Sequence, residues 1–193
     1  MFSAMIACRE DEHYERFIRF SLKYRNEMTP PYSMPVATHL LSDQILQAYT
    51  ILGLDINNDV VGYLTYYYGQ SEDHPQSPYD VVIELLHIHK DFRLTFAFLQ
   101  GFDFLIQQIE DSGYEVDRVL FKAYSKSDYL CRLYSKFAKK VSQIEGEFGK
   151  FDVYSVAFKE FSRYIYGKRS RLLRKGGASN DLPLHSLPNG FGA

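Results

Sequence analysis

Residues 80–108 read DVVIELLHIHKDFRLTFAFLQGFDFLIQQ and decide the fold of this chain. Val81–Ile88 is a dense apolar run rich in β-branched residues, which predicts a buried strand. A polar turn follows, and apolar residues spaced by three and four then predict a long helix with one buried face. These positions are Phe98, Leu99, Phe102, Leu105, Ile106 and Ile109. The start of such a helix presents free N–H groups and a positive dipole end, which favour an anion, and Arg93 adds charge there.

The remaining sequence predicts further strands and helices around this unit. Strands are predicted at Phe2–Cys8, Thr50–Asp55, Val60–Tyr68, Arg118–Ala123, Lys140–Ile144 and Val153–Phe158. Helices are predicted at His13–Tyr24 with Asp11 as N-cap, at Ala37–Gln47, and from Ser127 or Asp128 to about Phe137. Mixed order with one central crossover helix indicates an α+β (α/β-like) fold, in which helices cover both faces of the sheet.

Bulk properties narrow the class of protein. A chain of 193 residues is most simply one domain with a tail, and its net charge of −2 points to neither nucleic acid nor a membrane. Cys8 and Cys131 form no disulfide framework or metal-ligand pattern, and two unpaired thiols fit a reducing compartment. With no apolar run of about 18 residues and no signal-peptide profile, we expect a cytoplasmic protein.

The segment IELLHIHKDFR resembles the core motif of the GNAT superfamily of N-acyltransferases. In that family a strand runs into V-x-P-x-[YF]-R, then Q/R-x-x-G-x-G/A and a helix; Ile88, Phe92 and Arg93 match the Val, the aromatic residue and the Arg. Phe96 and Phe98 stand where the family has its two glycines, which let the cofactor pyrophosphate approach the backbone amides. The predicted element order is also that of the GNAT fold, from about residue 3 to 160. The resemblance therefore implies a mixed, mostly antiparallel central sheet.

The resemblance also implies an activity and a set of binding residues. A GNAT enzyme moves an acetyl or other acyl group from acetyl-CoA (acyl-CoA) to a primary amine, carried by a small molecule or a protein. The cofactor-binding positions implied here are Leu86, His87, Ile88, Arg93, Leu94, Thr95, Phe96, Ala97 and Phe98. Two outcomes are open for the turn. The amides around Leu94–Phe98 cradle a pyrophosphate, or the rings of Phe96 and Phe98 fill the slot.

Glu84 and Tyr134 are the candidate catalytic residues. A carboxylate at Glu84, in an apolar surround, would serve as general base, as in GNAT members that resemble polyamine acetyltransferases; the alternative is pairing with Arg93 or Lys122. SKSDYLCRLYSKFAKK resembles the family's N-x-x-A-x-x-L-Y-x-K-x-G-F motif, whose Tyr commonly protonates the leaving thiolate. Tyr134 holds that position, and its alternative role is packing at the edge of the sheet.

Other features are interpreted as structural. His87 and His89 lack further metal ligands nearby, so no metal site is predicted and partly exposed structural histidines are expected. Most of the tyrosines of Tyr63–Tyr68 are expected to pack, although some could line an acceptor pocket.

The C-terminal residues differ in character from the rest of the chain. We predict a GNAT-like domain over residues 1–163 and a tail over 164–193, basic first and then rich in Gly, Pro and Ser. A catalytically silent GNAT-like domain is the alternative function. It would be a structural or interaction component of a larger assembly such as a viral particle, with the tail as contact to a protein partner or a second copy. A peptide- or RNA-binding module is a third hypothesis, although nucleic-acid binding is not favoured.

Overall fold

A computed structural model describes residues 2–28, 30–69, 78–93, 96–146 and 148–176, with side chains to residue 172. Within these residues, seven strands form one sheet: β1 Ala4–Ala7, β2 Tyr49–Leu54, β3 Val60–Tyr68, β4 Asp80–Ile88, β5 Arg118–Tyr124, β6 Lys139–Gly146 and β7 Gly149–Ala157. The same residues contain five α-helices: α1 Asp11–Tyr24, α2 Met34–Gln47, α3 Ala97–Asp111, α4 Asp128–Tyr134 and α5 Phe158–Gly176. Short 3-10 helices lie at Arg25–Glu27 and Lys90–Phe92.

The strand order is β1-β2-β3-β4-β5-β7-β6. Each neighbouring pair is antiparallel except β4 with β5, which run parallel. This arrangement confirms the predicted mixed, mostly antiparallel sheet. The crossover between the two parallel strands is α3, as the periodicity of its apolar residues predicted.

Helices cover both faces of the sheet because the strands alternate their apolar side chains. On one face Ile51 and Leu64 pack with residues of α3 and α5, including Phe102 and Phe161. On the other face the neighbouring strand residues pack with α1 and α2: Leu52, Leu54 and Tyr63 contact a cluster that contains Phe17, Phe20 and Leu41. Burying each of these large side chains contributes roughly 1.5–3 kcal/mol. Exposing either face of the sheet to water would lose this contribution for each of its apolar side chains.

Two predicted helix starts differ from the structure. Helix α1 begins at Asp11 with Glu10 as its N-cap, so the prediction of Asp11 as the cap was wrong by one residue. Helix α2 begins at Met34 rather than Ala37, and Pro35 lies in its first turn. Proline is tolerated there because the first N–H groups of a helix have no partner within the helix.

Helix α5 was not predicted. Strand β7 ends at Ala157, and the helix then buries Phe161 and Ile165 against α3 and the sheet. The predicted domain boundary between residues 163 and 164 falls inside this helix. The Gly/Pro/Ser-rich residues 177–193 lie outside the described residues, so their role as a tail stays a prediction. In the described part of the chain, no helix is both long and apolar enough to cross a membrane.

Candidate functional site

Strands β4 and β5 are paired along only part of their length. Their register runs from Asp80–Arg118 to Ile83–Phe121 and stops there, although β4 continues to Ile88 and β5 to Tyr124. On its other edge β4 remains paired with β3 as far as Ile88. The two parallel strands therefore part at the middle of the sheet and leave a gap between them.

Glu84 is the residue at which the gap begins. Tyr66 pairs with Ile83 and Thr65 pairs with Leu85, so Glu84 is the extra residue of a β-bulge in β4. A bulge bends its strand and increases the local twist, which turns the rest of β4 away from its neighbour. The bulge and the end of the β4–β5 pairing coincide, and together they open the sheet.

A cavity of about 100 Å³ fills the gap. It is several times the ~10–15 Å³ that one water molecule needs. Its lining comes from β4, β5, α4 and the segments that cover them: Glu84, Leu85, Leu86, His87, Ile88, Lys122, Tyr124, Ser127, Tyr129, Leu130, Tyr134, Glu27, Met28, Tyr32, Arg93 and Phe151. The structure thus brings both candidate catalytic residues, Glu84 and Tyr134, to one cavity.

The Glu84 carboxylate is paired with a cation. The Lys122 Nζ atom lies 2.8 Å from Glu84 Oε2, and the Tyr67 hydroxyl donates a longer hydrogen bond of 3.4 Å to the same oxygen. The expected apolar surround was therefore wrong. Of the two alternative partners, Lys122 is the one found. The Glu84 side chain is nevertheless 22% exposed, and it lines the cavity.

The Tyr134 side chain is buried, and it lines the cavity. Its ring packs on that of Phe121, with the centroids 4.8 Å apart. Ser127 is the N-cap of α4, and its hydroxyl accepts a hydrogen bond from the Leu130 N–H. Burial raises the pKa of Tyr134, and the nearby Tyr129 and Cys131 raise it further. The phenol is therefore protonated at physiological pH and has a proton to donate.

Arg93 binds main-chain oxygens. Its Nε donates to the Ile88 carbonyl at 2.8 Å, and its Nη2 donates to the Glu27 carbonyl at 3.4 Å. These bonds tie the end of β4 to the segment that follows α1. The guanidinium is at the cavity wall, where it adds positive charge while it holds two elements together.

The two phenylalanines at the glycine positions do not fill the cavity. Phe96 precedes α3 and is 45% exposed, and Phe98 packs instead against the core, with its ring 6.2 Å from that of Phe102. Neither residue is among the described residues that line the gap. Ala97 is fully buried, and the predicted positions Leu94 and Thr95 lie outside the described residues.

His87 is a buried structural histidine, although it was expected to be partly exposed. It packs among Phe20, Tyr24 and Tyr63, and its Nε2 atom has no hydrogen-bond partner in the described part of the chain. Burial, helped by the charges of Arg93 and His89, lowers the pKa of His87 to about 4. Within the same described residues, no group of three or more His, Cys, Asp or Glu side chains is arranged to hold a metal ion.

The cavity has an aromatic wall that was not predicted from the sequence. Tyr32, Tyr124 and Phe151 lie there, and the Tyr32 ring meets Phe148 edge to face at 5.2 Å. That contact joins the loop before α2 to the connection between β6 and β7. Some tyrosines of Tyr63–Tyr68 were candidates for lining an acceptor pocket, but none of them is among the described residues that line this cavity. The sequence indicated one part of this wall: because side chains alternate along a strand, Lys122 and Tyr124 of β5 lie on the same face.

No family model and no curated protein sequence matches this chain. Solved structures share its fold. The aminoglycoside acetyltransferase AAC(6')-Ib, in complex with coenzyme A and kanamycin, is 12% identical with a TM-score of 0.60, covering 83% of this chain and 98% of that one. NAA60 from Arabidopsis thaliana, with a bisubstrate analogue, is 12% identical with a TM-score of 0.58, covering 80% and 98%. An N-acetyltransferase from Staphylococcus aureus Mu50 is 15% identical with a TM-score of 0.57, covering 81% and 99%.

These comparisons establish the architecture of the chain. At such low identity the likeness shows the fold alone, and acetyltransferases of the GNAT family are among the solved structures that share that fold. The fold predicted from the segment IELLHIHKDFR is confirmed.

Proposed function

We propose that this chain, built on the GNAT acetyltransferase fold, is an N-acyltransferase that moves an acetyl or other acyl group from acyl-CoA to a primary amine. One observation carries the proposal. A single cavity, at the point where two parallel strands part, reaches both a carboxylate and a buried phenol. Amide formation from a thioester needs a proton acceptor for the amine and a proton donor for the leaving thiolate, and this cavity provides one of each.

The gap fits the reacting end of an acyl thioester. Within the described chain, Leu86–Ile88 has no strand partner on the β5 side. Apart from the Ile88 carbonyl, which accepts a hydrogen bond from Arg93, the main chain there is available to a linear amide-bearing ligand. A cavity of about 100 Å³ takes an acyl group and a thioester, whereas the nucleotide would remain outside it. The start of α3 lies beyond Arg93 and carries no capping side chain among the described residues, so its dipole favours a phosphate there.

The chemistry divides between two residues of the cavity lining. Bound acyl-CoA supplies an acyl group activated as a thioester. Glu84 accepts a proton from the acceptor amine, which makes the nitrogen a nucleophile. Tyr134 donates its proton to the sulfur that leaves, since its raised pKa keeps the phenol protonated until then.

Calorimetric titration with acetyl-CoA tests this proposal, together with an assay that measures release of the CoA thiol. A polyamine, an aminoglycoside and a peptide with a free α-amine serve as acceptors. We expect micromolar binding of acetyl-CoA and thiol release that depends on one of the amines. Absence of heat at millimolar acetyl-CoA would overturn the proposal.

A catalytically silent domain of the same fold is the second candidate. It is favoured by the turn before α3, where Phe96 replaces a glycine and the Arg93 donors are bound to carbonyls rather than directed at a ligand. On this account the chain is an interaction component of a larger assembly. The same titration separates the two candidates, because a silent domain gives no heat with acetyl-CoA.

A further inference from the structure

The Lys122 amine lies inside the cavity, although lysine amines usually lie in water. Its side chain is only 7% exposed and belongs to β5, on the face opposite to Phe121 and Ala123, which pack with α3. Lys122 therefore lies on the α1 and α2 side of the gap. Tyr32 and Tyr124 also line the cavity there.

The distance from Lys122 to Glu84 is that of a base to its substrate. A general base acts when it is about 2.6–3.2 Å from the atom whose proton it takes. The 2.8 Å between Lys122 Nζ and Glu84 Oε2 meets this criterion without any added ligand. Among the lysines of the described residues, Lys122 is the one that lines this cavity. The proposed base is thus already bound to an amine of its own chain.

We propose that Lys122 is itself an acyl acceptor, so that the chain acylates this side chain from acyl-CoA; this rests on the function proposed above. The Lys122 ammonium gives one proton to Glu84, and its nitrogen attacks the thioester carbonyl. A C–N bond forms as the C–S bond breaks, and the sulfur leaves as CoA thiol with the proton of Tyr134. The nitrogen then loses a second proton, which replaces the one that Tyr134 gave, and Glu84 passes its proton to solvent. The net release is one proton to solvent for each acyl group transferred.

Acylation would change the cavity as well as the side chain. An amide carries no charge, so the ion pair between Lys122 and Glu84 is lost when the amide forms. The carboxylate is then available to the cationic amine of an external acceptor. Modification of Lys122 would therefore remove an internal competitor from the site.

Incubation of the full chain with deuterated acetyl-CoA, followed by denaturation and peptide mapping by mass spectrometry, tests this inference. The deuterium label separates new acetyl groups from those acquired in the expression host. We expect label on Lys122, and only the slow chemical background on Lys150, whose side chain is 60% exposed. Uncatalysed acetylation by the thioester would give the opposite preference, since it follows exposure. Glu84→Gln should lower the rate at Lys122 by about 100-fold and leave Lys150 unchanged.

Three variants and one binding measurement complete the design. Lys122→Arg should abolish the labelled peptide, and the matched Lys150→Arg variant should retain label on Lys122. The inference is overturned if acetyl-CoA binds by calorimetry and its acetyl group reaches an added amine while Lys122 stays unlabelled. Equal labelling of Lys122 in Glu84→Gln overturns it too. Absence of acetyl-CoA binding is a separate result, because it overturns the proposed function itself.

Discussion

Arg118 binds the buried Asp80 carboxylate through two hydrogen bonds, Nε to Oδ1 at 3.0 Å and Nη2 to Oδ2 at 2.8 Å. The two residues are the first register pair of β4 and β5. The bidentate contact therefore closes the paired end of the two parallel strands, while the other end is parted by the bulge at Glu84. The shape of the gap depends on both features.

Arg118→Gln should destabilise the fold, because it leaves the Asp80 carboxylate buried without its cation. We expect a loss of about 1–3 kcal/mol in the free energy of unfolding, less than for a fully buried pair because the Arg118 side chain is 41% exposed. Urea denaturation measures the loss. Asp80→Asn combined with Arg118→Gln should recover part of it, and Arg19→Gln on the surface of α1 is the control. Equal free energies of unfolding for Arg118→Gln and the parent protein would show that the ion pair of Arg118 with Asp80 does not stabilise the fold.

The parts of the fold that the sequence predicts are those with local periodic signals. The β-branched run of β4 and the three-and-four spacing of apolar residues in α3 predict the strand and the crossover helix that follows it. Asn58, with φ of 66°, lies in the turn that the Asn57–Asp59 run predicted between β2 and β3. Each of these signals lies within a single segment, and so one sequence is enough to find it.

The parts that the sequence does not predict arise between segments. Nothing in ELLHI marks Glu84 as a bulge, because the neighbours on both sides are apolar and an extra residue does not disturb that pattern. The ion pair with Lys122 depends on how β4 and β5 part, which is a property of the assembled sheet. Helix α5 was missed because its exposed cations dominate the composition, whereas Phe161 and Ile165, four residues apart, fall across the predicted boundary.

Tyr134→Phe should remove the proposed acid and keep the packing of the ring. We expect kcat for acyl transfer to fall by about 100-fold, with little change in the affinity for acetyl-CoA. Thiol release measures kcat, and calorimetry measures the affinity. Tyr114→Phe, an exposed tyrosine stacked on Tyr68, is the matched control and should be fully active. If Tyr134→Phe has the parent rate, another group protonates the thiolate.

His87 should make the fold sensitive to acid. Its pKa falls from 6.5 to about 4 on folding. Below about pH 6.5 the unfolded chain therefore binds a proton at His87 that the folded chain does not bind. The contribution of this residue to stability is fully present above that pH and is lost as the pH falls toward 4. It amounts to about 3 kcal/mol. His87→Phe should flatten the dependence of the unfolding free energy on pH over this range, and His39→Gln, at an exposed histidine, should not. An unchanged slope in His87→Phe would assign the acid sensitivity to other groups.

Helix α5 should be an integral part of the domain, because its apolar side chains complete the core. The Phe161 ring lies 5.3 Å from that of Phe102 and 5.4 Å from that of Phe121, and the residue is fully buried. Phe161→Ala should therefore cost about 3–5 kcal/mol in the free energy of unfolding, since it removes buried surface and leaves a cavity. Arg163→Ala, exposed on the same helix, controls for helix propensity and should change stability by less than about 0.5 kcal/mol. If the domain ended at residue 163, truncation after that residue would leave the free energy of unfolding unchanged. We expect instead that truncation destabilises the fold as much as Phe161→Ala does, because it removes the buried Ile165 and the ion pair of Arg169 with Asp103 at 2.7 Å.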